Sequence, residues 1–136
     1  MPEASFPVEL AGAVPVVAAP EEIDITNAAG LRAALLQAAG PGNQTLVVDM
    51  SRTQFCDSAG LNVLVRAHKR AQAGGGELHL VIRGAAVLRI LAVTGIGGLI
   101  PTFPSLGQAL AHTAAAADSP GLPAVPAGPE PLGAPR

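Results

Sequence analysis

A change of hydrophobic period between Leu46 and Ala73 constrains the fold of this chain more than any other feature of its sequence. Leu46–Val48 is a continuous apolar run closed by Asp49, which is typical of a strand covered on both faces in a parallel sheet. After a short loop, the spacing i, i+3, i+4, i+7, i+10 indicates one face of a helix. The residues on that face are Leu61, Leu64, Val65, His68 and Ala71. The stretch therefore predicts a buried strand, a loop and a helix that opens at Ser58.

The rest of the chain alternates strands with helices in the same way. Proline lacks a backbone donor, so Pro15 is expected at the start of its strand or on a non-bonded side. The order predicts an α/β fold, a single layered domain with a mainly parallel sheet, an antiparallel N-terminal hairpin and about four helices. The predicted strands are 7–10, 14–18, 46–49, 77–82 and 99–103, and the helices begin near Thr26 or Asn27, at Ser58, at Gly84 or Ala85, and at Ser105.

The domain is expected to span residues 5–115. From 116 to 136 the sequence is rich in Ala, Pro and Gly and sparse in large apolar residues. Such a segment buries too little apolar surface to offset its ordering entropy, so a disordered tail is predicted there.

Composition excludes several classes of function. The chain has no Trp or Tyr, three Phe and a net charge of −2. It therefore lacks the aromatic side chains on which single-stranded nucleic acid stacks and the basic surface that binds phosphates. A single cysteine, Cys56, fits a reducing cytoplasm, and no apolar run approaches the roughly 20 residues of a membrane span. We expect a cytoplasmic protein, monomeric, with no direct contact to nucleic acid or membrane.

No catalytic or cofactor motif stands out. His68, His79 and His112 share no metal-ligand spacing with another ligand type, and Ser58 lies about 15 Å from His68 along one helix, too far for proton transfer. The glycine-rich stretches 74–76 and 95–98 match neither phosphate-loop pattern. We therefore expect no enzyme, cofactor or metal. A small nucleotide-binding or hydrolytic enzyme is the alternative that turnover by the isolated chain would reveal.

Ser58 supports two interpretations. It lies at or beside the N-cap of the helix, where a hydroxyl accepts a bond from a free backbone N–H. It is also a reasonable phosphorylation site, because a helix N-terminus stabilises a phosphoryl group. The added charge would then act on the outer surface, which is already acidic through Asp57 and, if the loops meet at one sheet edge, Asp24.

The same stretch resembles a known family. The segment VVDMSRTQFCDSAGLNVLVRAHKRAQAGGGELHLV is similar to the signature of STAS domains, and specifically of bacterial anti-sigma factor antagonists. Upstream EEIDITNAAGLRAAL and downstream VLRILAVTGIGGLIPTFPSLGQAL resemble the flanking parts of that family. The resemblance covers roughly residues 5–115.

This resemblance implies a partner-switching function. Ser58 matches the serine that an anti-sigma factor serine kinase of the GHKL type phosphorylates, and Asp24 matches the acidic residue beside it. Asp57, Gly60 and the start of the helix, including Leu61, match the kinase-facing surface. In the family, the unphosphorylated protein binds the anti-sigma factor and frees a sigma factor, phosphorylation ends binding, and a phosphatase restores it. A STAS scaffold or regulatory subunit of a lipid-transport or stress-sensing complex, without a serine switch, is the alternative.

Overall fold

The computed structural model describes residues 6–40 and 45–118. Its strands alternate with helices, as the sequence predicts. In chain order the elements are β1 (Val8–Ala11), β2 (Val14–Ala18), β3 (Glu22–Ile23), α1 (Ala28–Ala39), β4 (Leu46–Met50), β5 (Phe55–Cys56), α2 (Ser58–Ala73), β6 (Leu78–Ile82), α3 (Ala85–Thr94), α4 (Ile96–Leu99), β7 (Thr102–Phe103) and α5 (Leu106–Asp118).

The main sheet has the order β1-β2-β4-β6-β7. β1 and β2 are antiparallel, and the pairs β2–β4, β4–β6 and β6–β7 are parallel. The predicted mainly parallel sheet with an N-terminal hairpin is therefore confirmed. Pro15 is the second residue of β2 and precedes Val16, the first residue paired with β4, so its missing donor lies outside that parallel ladder.

The two faces of the sheet are covered unequally. Alternate residues of the central strands, such as Val17, Val48 and Leu80, pack with α1, α2 and α3 into the larger core. The other face is covered by α5, where Val16, Val47, Val81 and Ala109 form a smaller core. On α2, the predicted face is confirmed at Leu61, Leu64 and His68, which are buried, while Val65 and Ala71 are half-buried. Both faces of the central strands are thus covered, as their unbroken apolar sequence predicts.

Two short strands and one short helix were not expected. β3 and β5 pair with each other in a separate parallel ladder, and strands of two residues are too short to show a hydrophobic period. The predicted strand over 99–103 is wrong in its first half, because Leu99 ends α4. Two residues later, the main-chain carbonyl of Pro101 accepts a hydrogen bond from the Leu80 N–H at 2.9 Å. The strand itself begins at Thr102. The described residues therefore contain five helices, one more than expected.

Element boundaries agree with the sequence at several points. Gly95 ends α3 in the left-handed conformation, with φ of 82°, and Ser105 caps α5 by accepting the Gln108 N–H at 3.1 Å. α5 continues to Asp118, past the domain end expected at 115. The remainder of the predicted tail, 119–136, lies outside the described residues, as do residues 41 and 42 of the turn predicted after α1. In the described part of the chain, no helix is both long and apolar enough to cross a membrane.

Candidate functional site

The candidate site is assembled by the pairing of β3 with β5. Ile23 pairs with Cys56, and the Asp57 N–H donates to the Ile23 carbonyl at 3.0 Å. One step earlier, the Gln54 N–H donates to the Glu21 carbonyl at 2.7 Å. These main-chain bonds join the loop before α1 to the loop before α2. The two loops therefore meet at one edge, as the position of each after a strand predicts.

Asp57, and not Ser58, is the N-cap of α2. Its Oδ1 accepts the Gly60 N–H at 3.1 Å, and its main-chain carbonyl accepts the Leu61 N–H at 3.0 Å. Its Oδ2 accepts the Ile25 N–H of the neighbouring loop at 3.1 Å. A carboxylate at this position also interacts favourably with the positive end of the helix dipole. Of the two positions expected for Ser58, at the N-cap or beside it, the second is the observed one, since Asp57 both caps the helix and binds the adjacent loop.

Ser58 is the first residue of α2 and its side chain is exposed. Within the described residues, its hydroxyl makes no hydrogen bond. The N–H groups of Ser58 and Ala59 come before the first bond of the helical ladder, from Leu61 to Asp57, and so lie at the positive end of the helix dipole. The serine oxygen is accessible, and its neighbourhood favours a negative charge.

Asp24 lies in the loop that Asp57 holds, one residue before Ile25. Its Oδ1 accepts the Thr26 N–H at 2.9 Å and a bond from the Thr26 hydroxyl, and its N–H donates to Asn27 Oδ1 at 2.9 Å. The Thr26 side chain and then the Thr26 backbone lower the pKa of Asp24, so this carboxylate is ionised at neutral pH. Asn27, one of the two predicted candidates, is the N-cap residue of α1, but its side chain bonds to this loop and not to the helix.

Gly60 and Leu61 are buried beneath this surface. A Cβ on Gly60 would lie 2.6 Å from Ile23 Cγ2 and 2.7 Å from Cys56 Sγ, closer than Cβ atoms approach in real proteins. The helix can therefore pack this closely on β3 and β5 only because residue 60 has no side chain. Leu61 is 8% exposed and belongs to the larger core. Its place on the helix turns Leu61 toward the sheet, and its role in partner binding stays a prediction.

Sequence reasoning missed two exposed apolar side chains near Asp57. Ile25 is 76% exposed, although its main chain is bound to Asp57, and Phe55 on β5 is 47% exposed. Large apolar residues this exposed mark candidate interaction surfaces when they cluster. The signal was present in the sequence as an isoleucine within the polar loop Asp24-Ile25-Thr26.

Cys56 is buried beneath this edge, directly before the Asp57 cap. Burial, and secondarily the charge of Asp57, raises the pKa of the Cys56 thiol to about 12, so the thiolate is scarce at neutral pH. In the described residues, the group of histidine and carboxylate side chains close enough to share a metal ion lies at the opposite edge of the sheet. The Ser58 edge therefore presents an accessible hydroxyl, two carboxylates and an exposed isoleucine.

Comparison with known proteins identifies the class. The STAS domain family model matches residues 5–109. The chain belongs to the STAS domain family.

Two of the proteins to which the chain is similar are anti-sigma factor antagonists by name. The chain is 32% identical over 76 residues to the anti-sigma-F factor antagonist RsfA of Mycobacterium tuberculosis, a match covering 56% of this chain and 59% of the relative. It is similar to the crystal structure of an anti-sigma factor antagonist from Mycobacterium paratuberculosis, with 30% identity, a TM-score of 0.74, and coverage of 81% and 93%.

A third likeness lies in a different setting. The structure of the murine anion transporter Slc26a9 has a TM-score of 0.64 with this chain at 25% identity. That match covers 79% of this chain and 18% of the transporter. The same fold therefore also occurs as part of a much longer chain.

Proposed function

We propose that this chain is an anti-sigma factor antagonist switched by phosphorylation of Ser58. The unphosphorylated form binds an anti-sigma factor serine kinase of the GHKL type and thereby frees a sigma factor. The kinase then transfers a phosphoryl group from its own ATP to Ser58, which ends binding, and a phosphatase restores the first state. In this cycle the chain is a cytoplasmic substrate and binding partner, not an enzyme.

The observation that carries the proposal is the division of roles between Asp57 and Ser58. Because Asp57 caps α2 and binds the Ile25 loop, the Ser58 hydroxyl has no structural bond to lose. Modification of Ser58 therefore leaves the cap in place. The effect of the phosphate is expected at the surface, while the fold is retained.

The charges around Ser58 give the switch its direction. A phosphoserine adds a charge of about −1.5 to −2. The N–H groups at the start of α2 stabilise that charge locally, but Asp57 and Asp24 already make the surrounding surface acidic. A partner surface complementary to two carboxylates and the apolar Ile25 is poorly matched to the additional charge. Gly60 and Leu61 contribute from beneath, by fixing the position of the helix.

The test combines phosphorylation with binding. The full chain is incubated with a GHKL-type anti-sigma kinase and ATP, and the modified residue is mapped by mass spectrometry. Phosphate is expected on Ser58. Ser58→Ala should bind the kinase and resist modification, and Ser58→Asp should bind at least about tenfold more weakly, which corresponds to about 1.4 kcal/mol.

Ser105→Asp is the matched control. Ser105 also stands at the start of a helix, and aspartate replaces its cap bond, so this variant adds the same charge to a helix N-terminus elsewhere. It should bind the kinase as the wild type does. Equal binding by Ser58→Asp and wild type would contradict the charge switch.

The transporter likeness favours one alternative, a STAS scaffold or regulatory subunit without a serine switch. Such a protein would use the same surface as a constant contact. It would remain unmodified in the kinase assay, and its partner would tolerate Ser58→Asp. Those two results together would favour the scaffold.

A further inference from the structure

A second polar cluster lies at the opposite edge of the sheet from Ser58. Glu77 directly precedes β6, His79 lies on β6, and His112 lies on α5, which covers that face. One ligand atom from each of these residues lies within 4.8 Å of the others. His79 is 2% exposed, whereas Glu77 and His112 reach solvent. The cluster thus has a buried ligand at its centre and an open side.

Both ring nitrogens of His79 have polar neighbours. Nδ1 lies 3.3 Å from the Thr113 hydroxyl oxygen, which also bonds to the Ala109 carbonyl at 3.0 Å. Nε2 lies 2.8 Å from Glu77 Oε1. The ring is therefore held between α5 and the carboxylate, with Nε2 facing Glu77.

Two arrangements account for the contact between His79 Nε2 and Glu77 Oε1. In one, Nε2 carries a hydrogen and donates it to the carboxylate. In the other, both atoms are ligands of one metal ion.

The third residue distinguishes these two solutions. The His112 ring lies edge-on to His79, with ring centroids 5.2 Å apart, and Phe103 contacts both rings. A hydrogen bond needs only one histidine and one carboxylate, whereas His112 brings a third ligand atom to the same place. Two imidazoles and one carboxylate are, in contrast, an established ligand set for zinc with a fourth position left to water.

We propose that Glu77, His79 and His112 form a binding site for a borderline transition-metal ion, with Zn²⁺ as the expected occupant. Nitrogen-rich donors favour Zn²⁺, Ni²⁺ or Cu²⁺ over Mg²⁺ and Ca²⁺, which take oxygen. Thr113 is a positioning residue that holds the His79 ring through Nδ1, as the outer partners of metal-bound histidines do. The site is independent of the function proposed for Ser58.

The distances require a small rearrangement. Ligands at about 2.0–2.2 Å from zinc are roughly 3.3–3.5 Å apart in a tetrahedral site. His79 Nε2 and Glu77 Oε1, at 2.8 Å, must move apart by about 0.5–0.7 Å, and the other pairs of ligand atoms, which lie within 4.8 Å of each other, must approach by at most about 1.5 Å. Rotation of the exposed Glu77 and His112 side chains supplies that movement without disturbing the buried ring.

Titration of the chelator-treated full chain with ZnCl₂ by isothermal calorimetry tests the proposal. One equivalent is expected to bind saturably, and Co²⁺ should give the visible absorption of a tetrahedral site. His112→Ala and Glu77→Gln should each weaken Zn²⁺ binding at least tenfold. Thr113→Val, which removes the positioning bond but no ligand, should weaken it by about tenfold.

Glu21→Gln is the control, since it removes an exposed carboxylate at the other edge of the sheet and should bind Zn²⁺ as the wild type does. Circular dichroism in EDTA checks that every variant is folded, and His112→Ala, altered at an exposed residue, is expected to pass. Absence of saturable binding up to millimolar Zn²⁺ would overturn the proposal in favour of a simple hydrogen bond between His79 and Glu77. Unchanged affinity in both His112→Ala and Glu77→Gln would overturn it equally.

Discussion

The two edges of the sheet hold polar residues in opposite ways. At the Ser58 edge, main-chain bonds between β3 and β5 and one aspartate fix the structure, and the serine hydroxyl is left without a bond. At the Glu77 edge, side chains bond to one another, and the His79 ring is bonded through both nitrogens. A residue that is modified must be accessible without being needed by the fold. A residue that binds an ion must be held firmly.

The largest effect should come from filling the space at Gly60. Alanine normally stabilises a helix interior relative to glycine, by up to about 1 kcal/mol. At Gly60 the new methyl group would overlap Ile23 and Cys56, so Gly60→Ala should instead lower the free energy of unfolding by about 1–3 kcal/mol. Chemical denaturation measures this difference.

Gly107→Ala is the matched control for that prediction. Gly107 lies near the start of α5, where a Cβ would approach only the Ser105 hydroxyl oxygen, at 4.0 Å. This substitution should leave stability unchanged or raise it. If Gly60→Ala were as stable as Gly107→Ala, close packing would not be what positions α2.

Loss of the Asp57 side chain should have a smaller effect. Asp57→Ala removes the cap on α2 and the bond to the Ile25 N–H, and should lower the free energy of unfolding by about 1 kcal/mol, within a range of about 0.5–2. Asp57→Asn keeps one acceptor oxygen for the cap bond but loses the second acceptor that the Ile25 N–H needs, so its stability should lie between those of wild type and Asp57→Ala. Ser58→Ala should change stability by less than about 0.5 kcal/mol. A larger loss for Ser58→Ala than for Asp57→Ala would reverse the assignment of the cap.

The smallest effect concerns pH. His68 Nδ1 accepts the Leu78 N–H at 3.2 Å. Burial lowers the pKa of His68, and this effect outweighs the charge of nearby Glu77, which raises it. As the pH falls below about 6.5, the unfolded chain takes up a proton that the folded chain does not, so stability should decrease.

His68→Asn tests this, because it keeps an acceptor but does not titrate there. The difference in unfolding free energy between pH 7.5 and pH 5.5 should be smaller in this variant than in the wild type. The lowered pKa of Asp24 acts separately, with stability lost only as the pH falls below about 4. If the difference in unfolding free energy between pH 7.5 and pH 5.5 were the same in His68→Asn as in the wild type, His68 would not be its source.

The sequence was informative wherever a period or a cap was long enough to be seen. The strand from Leu46 and the helix from Ser58 were predicted because each repeats its pattern over a whole element. The β3–β5 pair was not, because Ile23 and Cys56 are 33 residues apart and each strand has two residues. Ser58 could be placed only at or beside the cap, since Asp57 and Ser58 are both good caps and only geometry separates them.

The second cluster shows the same limit. Glu77 and His79 are two residues apart, but His112 comes from a different helix, so no local spacing indicated a shared ligand set. The burial of Leu61 was visible in the helical period. The resemblance placed the start of that helix at the partner surface without distinguishing which side chains turn outward.

The pairing of β3 with β5 has a consequence for how a kinase would find Ser58. Residues from two distant parts of the chain form its surroundings, and Ile25 and Asp24 are absent from any short segment that contains the serine. A peptide copied from residues 51–73 would carry the hydroxyl without these neighbours. A kinase that binds this surface, as we propose, would recognise the folded arrangement and not a linear motif, so it would discriminate folded from unfolded copies of its substrate.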